Sequence, residues 1–135
     1  MHEDKAYEAE TRGVVVRVRP SYLAGQSDPQ SGRWVWAYQV EILNLSGATI
    51  QLMARRWEIT DGHGRVEEVR GPGVVGEQPH IASGDSYSYA SGCPLGTSSG
   101  VMEGSYSMLD DRGRMFEVAL PAFSLDVPGP RPTYN

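Results

Sequence analysis

The sequence predicts an all-β domain, built as a sandwich of short antiparallel strands. Glycine and proline account for 16 and 9 of the 135 residues. They fall between short runs rich in Val, Ile, Tyr and Trp, a distribution typical of strands separated by turns. No stretch of useful length shows the 3.6-residue period of an amphipathic helix. Both observations favour the same fold class.

The first half of the chain contains three predicted strands. The valine-rich run over residues 11–19 predicts a strand, and residues 25–32 hold turn residues that predict a loop. The strand predicted over residues 49–60 changes phase midway, which a β-bulge or a bend near residues 54–56 would explain. Between them, residues at a strict period of two share one face of a strand, which we expect to form the core: Trp34, Trp36, Tyr38, Val40 and Ile42.

Turns and shorter strands account for the second half of the chain. Residues 61–64 read Asp-Gly-His-Gly, a hairpin-turn composition, and residues 65–70 predict the returning strand. Residues 71–84 contain too many glycines and prolines for regular structure, so they predict a long ordered loop. The remaining strands are predicted over residues 86–90, 101–109 and 114–120.

These elements indicate one domain. About seven antiparallel strands in a chain of this size predict an immunoglobulin-like or fibronectin type III-like β-sandwich. We expect the domain to span residues 11–126. Residues 1–10 are polar and residues 127–135 are proline-rich, so we expect both terminal segments to be flexible.

Composition excludes several classes of function. The formal net charge of −5 makes nucleic acid an unlikely ligand, because wrapping a polyanion requires a dense basic surface. No apolar run approaches the roughly 18 residues of a membrane span, and the first residues lack the apolar core of a signal peptide. We therefore expect a cytoplasmic protein. Cys93 is the only cysteine, so it is expected to behave as a small buried hydrophobic residue.

One segment matches a dinucleotide-binding string. Residues 71–76 read Gly-Pro-Gly-Val-Val-Gly, the GxGxxG pattern. That fingerprint requires a helix that begins at the glycines and directs its N–H groups at the pyrophosphate. Pro79 and Gly84 follow instead. Ordinary loop glycines are the favoured interpretation, and an anion-binding nest stays open as an alternative.

The same loop is the first candidate binding surface. Val74 and Val75 lie between glycines, so we expect one of them to anchor the loop in the core and the other to be exposed. An exposed apolar side chain on a loop fixed by proline and glycine suits partner binding. The candidate surface comprises Gly71, Gly73, Val74, Val75, Gly76, Glu77, Gln78 and Pro79.

A weaker candidate is a basic hairpin. Arg56, Arg65 and Arg70 place positive charge around one predicted hairpin, where arginine could bind a carboxylate or phosphate. The alternative is an ordinary solvated sheet face.

Asp61 and His63 flank a turn without a visible third ligand. We therefore expect no catalytic residue, no metal site and no cofactor.

Four strings, taken together and in order, carry a family resemblance. They occupy residues 57–62, 69–79, 89–95 and 100–108. On these strings the chain resembles the ApaG family, also called CorD, over most of its length. This resemblance implies a fibronectin type III-like sandwich, a bacterial cytoplasmic protein, and a relation to ApaG domains of eukaryotic F-box proteins and of a DNA-polymerase-delta-interacting protein. It also implies a link to cobalt and magnesium tolerance and to diadenosine tetraphosphate metabolism.

Two functional hypotheses follow from the sequence. The first is a non-catalytic binding module with an unidentified protein partner, which agrees with the role regarded as typical of the eukaryotic relatives. The alternative is a weak binder of a nucleotide or pyrophosphate, or an enzyme acting on one, at residues 71–76. Binding of the cations named with the family is a third hypothesis, and it depends on the resemblance alone.

Overall fold

The structure, a computed structural model, describes residues 6–128. Within them the chain forms nine β-strands, and two 3-10 turns, Ala24–Gln26 and Pro29–Ser31, lie in the connection between the second and third. The strands are β1 (Tyr7–Thr11), β2 (Val14–Tyr22), β3 (Trp34–Asn44), β4 (Ile50–Asp61), β5 (Val66–Pro72), β6 (His80–Ile81), β7 (Ser86–Leu95), β8 (Ser99–Leu109) and β9 (Met115–Asp126).

The strands form two antiparallel sheets. One has the order β1-β2-β3-β7, and the other has the order β5-β4-β8-β9, with β6 paired to the start of β4. The predicted all-β sandwich is confirmed. Two strands were not predicted, namely β1 and the two-residue β6 inside the segment 71–84. No helix within the described residues is long and apolar enough to cross a membrane.

The N-terminal segment differs from the sequence prediction. Residues 7–10 belong to β1, which pairs with β2 in the register Tyr7↔Val18. The hydroxyl of Tyr7 lies 3.2 Å from Ser124 Oγ, and the backbone N–H of Ala119 donates to Thr11 Oγ1 at 3.1 Å. The expectation of a flexible segment was wrong for these residues. The inward-facing side chains of β1 are small or amphipathic, so the sequence shows no apolar alternation that would predict a strand. Residues 1–5 and 129–135 lie outside the described residues.

The core lies between the sheets along the predicted face of β3. Trp36, Tyr38, Val40 and Ile42 are buried, and Trp34 is half-buried. Their partners across the sandwich are aromatic and aliphatic. Edge-on contacts place the Trp57 ring centroid 5.3 Å from that of Tyr38 and 5.8 Å from that of Phe123, a geometry that adds to the stabilisation from burial alone.

A β-bulge explains the phase change in β4. The register of β4 against β8 shifts between Leu52 and Ala54, which confirms the predicted bulge and places it at Met53. Ile50 and Leu52 face the core before the bulge, and Trp57 faces the core after it. One extra residue in one strand changes which alternate positions face inward.

Close backbone approach also constrains β8. A Cβ atom added at Gly104 would lie 2.0 Å from the carbonyl oxygen of Arg56 on β4. On the other side of β8, the register against β9 shifts between Met102 and Gly104, where β9 contributes one residue more than β8. Glycine is therefore required here by space between two paired backbones.

Replacing this glycine tests the close approach. We expect Gly104→Ala to destabilise the fold by about 1–3 kcal/mol, because the methyl group must force β8 away from β4. The matched control is Gly92→Ala on β7, where the added Cβ would make only an ordinary contact of 3.6 Å with Trp36 O. Urea unfolding of both variants measures the difference, and equal midpoints would contradict it.

Cys93 is buried, as predicted, with 3 % of its surface exposed. Burial, and to a lesser degree the charge of Glu67, raises the pKa of its thiol from 9.0 to about 11. The folded chain therefore holds this proton more tightly than the unfolded chain does. Any stability that depends on it is complete below about pH 9 and is lost as the pH rises towards 11.

This linkage predicts a pH-dependent difference between two proteins. The free energy of unfolding of the wild-type chain should fall more steeply between pH 9 and 11 than that of Cys93→Ala, which has no thiol to titrate. Denaturant unfolding at a series of pH values measures both slopes. Parallel curves across this window would show that the thiol pKa is not raised.

Candidate functional site

The loop between β5 and β6 is a miniature hairpin. The N–H of Val74 donates to Glu77 O at 2.8 Å, and the N–H of Glu77 donates to Val74 O at 2.9 Å. Between them, Val75 has a φ of 42° and Gly76 a φ of 81°. Positive φ at both central residues is the signature of a type I′ turn. The predicted ordered loop therefore contains a tight, defined turn.

The two valines of the turn have opposite environments. Val74 is fully buried and belongs to the core, whereas 57 % of the surface of Val75 is exposed. This confirms the expectation that one valine anchors the loop and the other is exposed. Val75 is also a β-branched residue in the left-handed region, a conformation that costs about 1–3 kcal/mol and requires support from its surroundings.

The support comes first from the bulge in β4. The carbonyl of Met53 accepts a hydrogen bond from Gly73 N–H at 2.8 Å and a second from Gln78 Nε2 at 2.9 Å. On the far side of the turn, Leu52 N–H donates to Pro79 O at 3.0 Å. The bulge thus provides hydrogen bonds to both ends of the loop.

Arg55 provides the second support. Its Nη1 donates to Pro72 O at 3.1 Å and to Gly73 O at 3.0 Å. In the β4–β8 ladder Arg55 lies opposite the buried Tyr106, so its side chain lies on the inner face of the sheet. A Cβ at Gly71 would lie 2.9 Å from the same nitrogen. Glycine at position 71 therefore leaves room for the guanidinium group.

Arg55 was not among the site residues predicted from the sequence. The signal that could have identified it was available. Arg55 lies two residues before Trp57, so both are on the same face of β4. The bulge places that face towards the core, because an extra residue reverses the alternation.

Two of the GxGxxG glycines have conformations that require glycine for backbone reasons. Gly73 has a φ of 58°, and its added Cβ would lie 2.0 Å from Glu77 O, whereas Gly76 has positive φ in open space. The N–H groups of Gly73, Val74 and Glu77 already donate to protein carbonyls. The next element is strand β6 and not a helix. This geometry favours ordinary loop glycines over a phosphate-binding nest.

The proposed basic hairpin is electrically compensated. Arg56 forms ion pairs with Glu58 at 3.2 Å and with Glu68 at 3.3 Å, and Arg70 also pairs with Glu68. Arg65 differs, because only its backbone N–H donates to the Asp61 carboxylate, at 3.0 Å, and its guanidinium forms no ion pair with the described residues. The face therefore presents mixed charge, and the structure lends no support to a concentrated anion-binding patch there.

The polar residues of the β4–β5 turn serve the turn itself. Asp61 Oδ1 accepts hydrogen bonds from the backbone N–H groups of His63 and Arg65, and these bonds lower the pKa of its carboxyl group. His63 and His80 are exposed. Within residues 6–128, no three His, Cys, Asp or Glu side chains are grouped so that they could hold a metal ion.

The loop glycines predict a graded response to substitution. Gly73→Ala should destabilise the fold more than Gly76→Ala, because both have positive φ but only the first adds a backbone clash. The conformational part alone costs about 1–2 kcal/mol at each position. Urea unfolding of the two variants provides the measurement, with each serving as the other's control. An equal loss would mean that residues 73 and 77 do not approach as closely as described.

Comparisons with known proteins identify similar chains. A family model described as the ApaG domain matches residues 24–110. A protein from Mesorhizobium japonicum, named Protein ApaG, is 59 % identical over 129 residues, covering 96 % of this chain and 99 % of that protein. Another of the same name from Brucella anthropi is 57 % identical with the same coverage.

Two solved structures share the fold. One, from Bordetella pertussis and described as an ApaA protein, has a TM-score of 0.83 and 46 % identity, covering 85 % of this chain and 94 % of that one. The second, structural-genomics target SoR45, also has a TM-score of 0.83, with 35 % identity and coverage of 91 % and 94 %.

Proposed function

Because the chain belongs to the ApaG family, we propose that it is a non-catalytic binding module whose partner is another protein. The proposed contact surface is the loop from Gly71 to Pro79, with Val75 at its tip. The setting that we propose is the bacterial cytoplasm. The link to cobalt and magnesium tolerance and to diadenosine tetraphosphate metabolism stays an inference from the family resemblance.

The observation that carries the proposal is the exposed, strained Val75. An apolar side chain contributes little to the stability of the free protein when more than half of its surface is exposed to water. A β-branched residue at positive φ also costs stability, and such outliers collect where a protein contacts something else. A glycine or asparagine would satisfy this turn without either cost.

The loop is also held ready for contact. Hydrogen bonds accepted by Met53 and donated by Arg55 and Leu52 fix it on both sides of the turn, and Val74 anchors it in the core. A surface that is already ordered loses little conformational entropy when a partner binds. These features suit recognition of a protein surface with a small apolar hollow.

The alternative ligand, a nucleotide or pyrophosphate, has weaker support. Three N–H groups that would contact phosphate are engaged within the loop or with Met53. The guanidinium of Arg55 is directed at the carbonyls of residues 72 and 73. Binding of phosphate at this place would require these bonds to be exchanged, with no helix N-terminus to replace them.

A substitution at the tip separates recognition from folding. Val75→Asn should leave the fold intact, because asparagine tolerates positive φ, yet it removes the apolar contact and should reduce partner capture by tenfold or about 1.4 kcal/mol. The immobilised chain is incubated with bacterial lysate, and retained proteins are quantified by mass spectrometry. Val66→Asn is the matched control, since Val66 is 60 % exposed on β5 and should have no effect.

Two results would contradict the proposed contact surface. Undiminished capture by folded Val75→Asn would place the contact surface elsewhere on the chain. Chemical-shift changes on titration with pyrophosphate, confined to residues 71–79, would favour the alternative ligand instead.

A further inference from the structure

The free edges of the two sheets differ in how they are protected. β1 and β9, at one side of the sandwich, contact each other through Tyr7 with Ser124 and Thr11 with Ala119. On the other side, the β5 edge carries Glu67, Glu68 and Arg70. Charged residues discourage the addition of another strand to an exposed edge. Among the described strands this leaves β7 as the edge without a charged residue, and its one protective residue, Pro94, lies near the end of the strand.

β7 has the properties of a strand prepared for pairing. It is ten residues long, Ser86–Leu95, and contains no charged side chain. It pairs with β3 on one side, and within the described residues its backbone forms no backbone hydrogen bond outside that ladder. Unpaired N–H and C=O groups along an uncharged edge are a template for a further strand.

We propose that β7 pairs antiparallel with β7 of a second copy of this chain, about a two-fold axis at Ser88. The two four-stranded sheets would then continue as one sheet across the interface. With the axis at this residue, each residue pairs with one whose number differs from its own by an even amount. Paired side chains therefore lie on the same face of the sheet. Such an isologous interface requires a surface that is complementary to itself.

The side chains of β7 meet that requirement. On the outer face, small residues oppose each other, with Ser86 against Ala90 of the partner subunit. On the inner face, Tyr87 lies opposite Tyr89 of the partner subunit, and the exchange repeats across the axis. Both tyrosines are only partly buried in the single chain. Cross-strand aromatic pairs stabilise antiparallel strands, so a second copy would bury the tyrosine surface that is exposed in the single chain.

Charge favours the same occupant. The chain has a net charge of −5, so two copies repel one another over most approaches. β7 itself adds no charged side chain, and the carboxylate of Glu41, opposite Ser88 on the neighbouring strand, is paired with Arg17 at 3.1 Å. At β5, by contrast, two copies would bring Glu67 and Glu68 together. The uncharged edge is thus the place where a second copy pairs at the lowest electrostatic cost.

The test places a charge at the proposed axis. The weight-average mass of the wild-type chain, measured by sedimentation equilibrium, should rise with concentration from 14.8 kDa towards twice that value. Ser88→Lys and Ser88→Glu should each remain monomeric, since the axis brings two like charges together. An equimolar mixture of the two should associate again, because the charges are then opposite.

Controls separate pairing from folding. Ser21→Lys introduces the same charge on β2, in the same sheet but two strands away, and should dimerise as the wild type does. Circular dichroism and melting confirm that each variant is folded. A wild-type chain that stays monomeric at every concentration would overturn the proposal. So would association of Ser88→Lys equal to that of wild type, or a mixture of charge variants that does not associate.

Discussion

The β-bulge at Met53 is the feature on which both the core and the candidate site depend. It adds one residue to β4, so that Leu52 and Trp57 both face the core although their positions differ by an odd number. At the same residue, the Met53 carbonyl accepts two hydrogen bonds from the loop. It also turns Arg55 inward, where its guanidinium group binds the carbonyls of the loop. Packing and loop conformation therefore share one cause.

The loop shows how a rigid sandwich can hold an unfavourable conformation at its surface. Val75 occupies a backbone region that β-branched residues avoid. The burial of Val74 and the bonds to Met53 compensate for this cost. Strain of this kind is stable only where the neighbouring structure determines it. The loop, the β5 edge and the β7 edge thus have distinct physical characters on one small domain, namely a strained apolar tip, a compensated charged strand and an uncharged backbone edge.

Much of the fold could be predicted from the sequence because periodicity is local. The face from Trp36 to Ile42 and the bulge in β4 both follow from the alternation of apolar residues. β1 could not be predicted in the same way, since its inward residues, Tyr7, Ala9 and Thr11, contact β9, far along the chain. For the site, the glycine and valine pattern predicted an ordered loop with one exposed valine. Which valine is strained, and that Arg55 supports the loop, depend on register between strands that sequence alone does not specify.

Hydrogen exchange of the chain, alone and bound to its captured partner, tests the central claim most directly. If the loop is an ordered recognition surface, the amides of Val75 and Gly76 should be slowed by the partner more than those of the β4–β5 hairpin. The amides of Gly73, Val74 and Glu77 should already be protected in the free chain, because each donates a hydrogen bond. Fast exchange of these three amides in the free chain, or partner protection confined to the hairpin, would contradict the account.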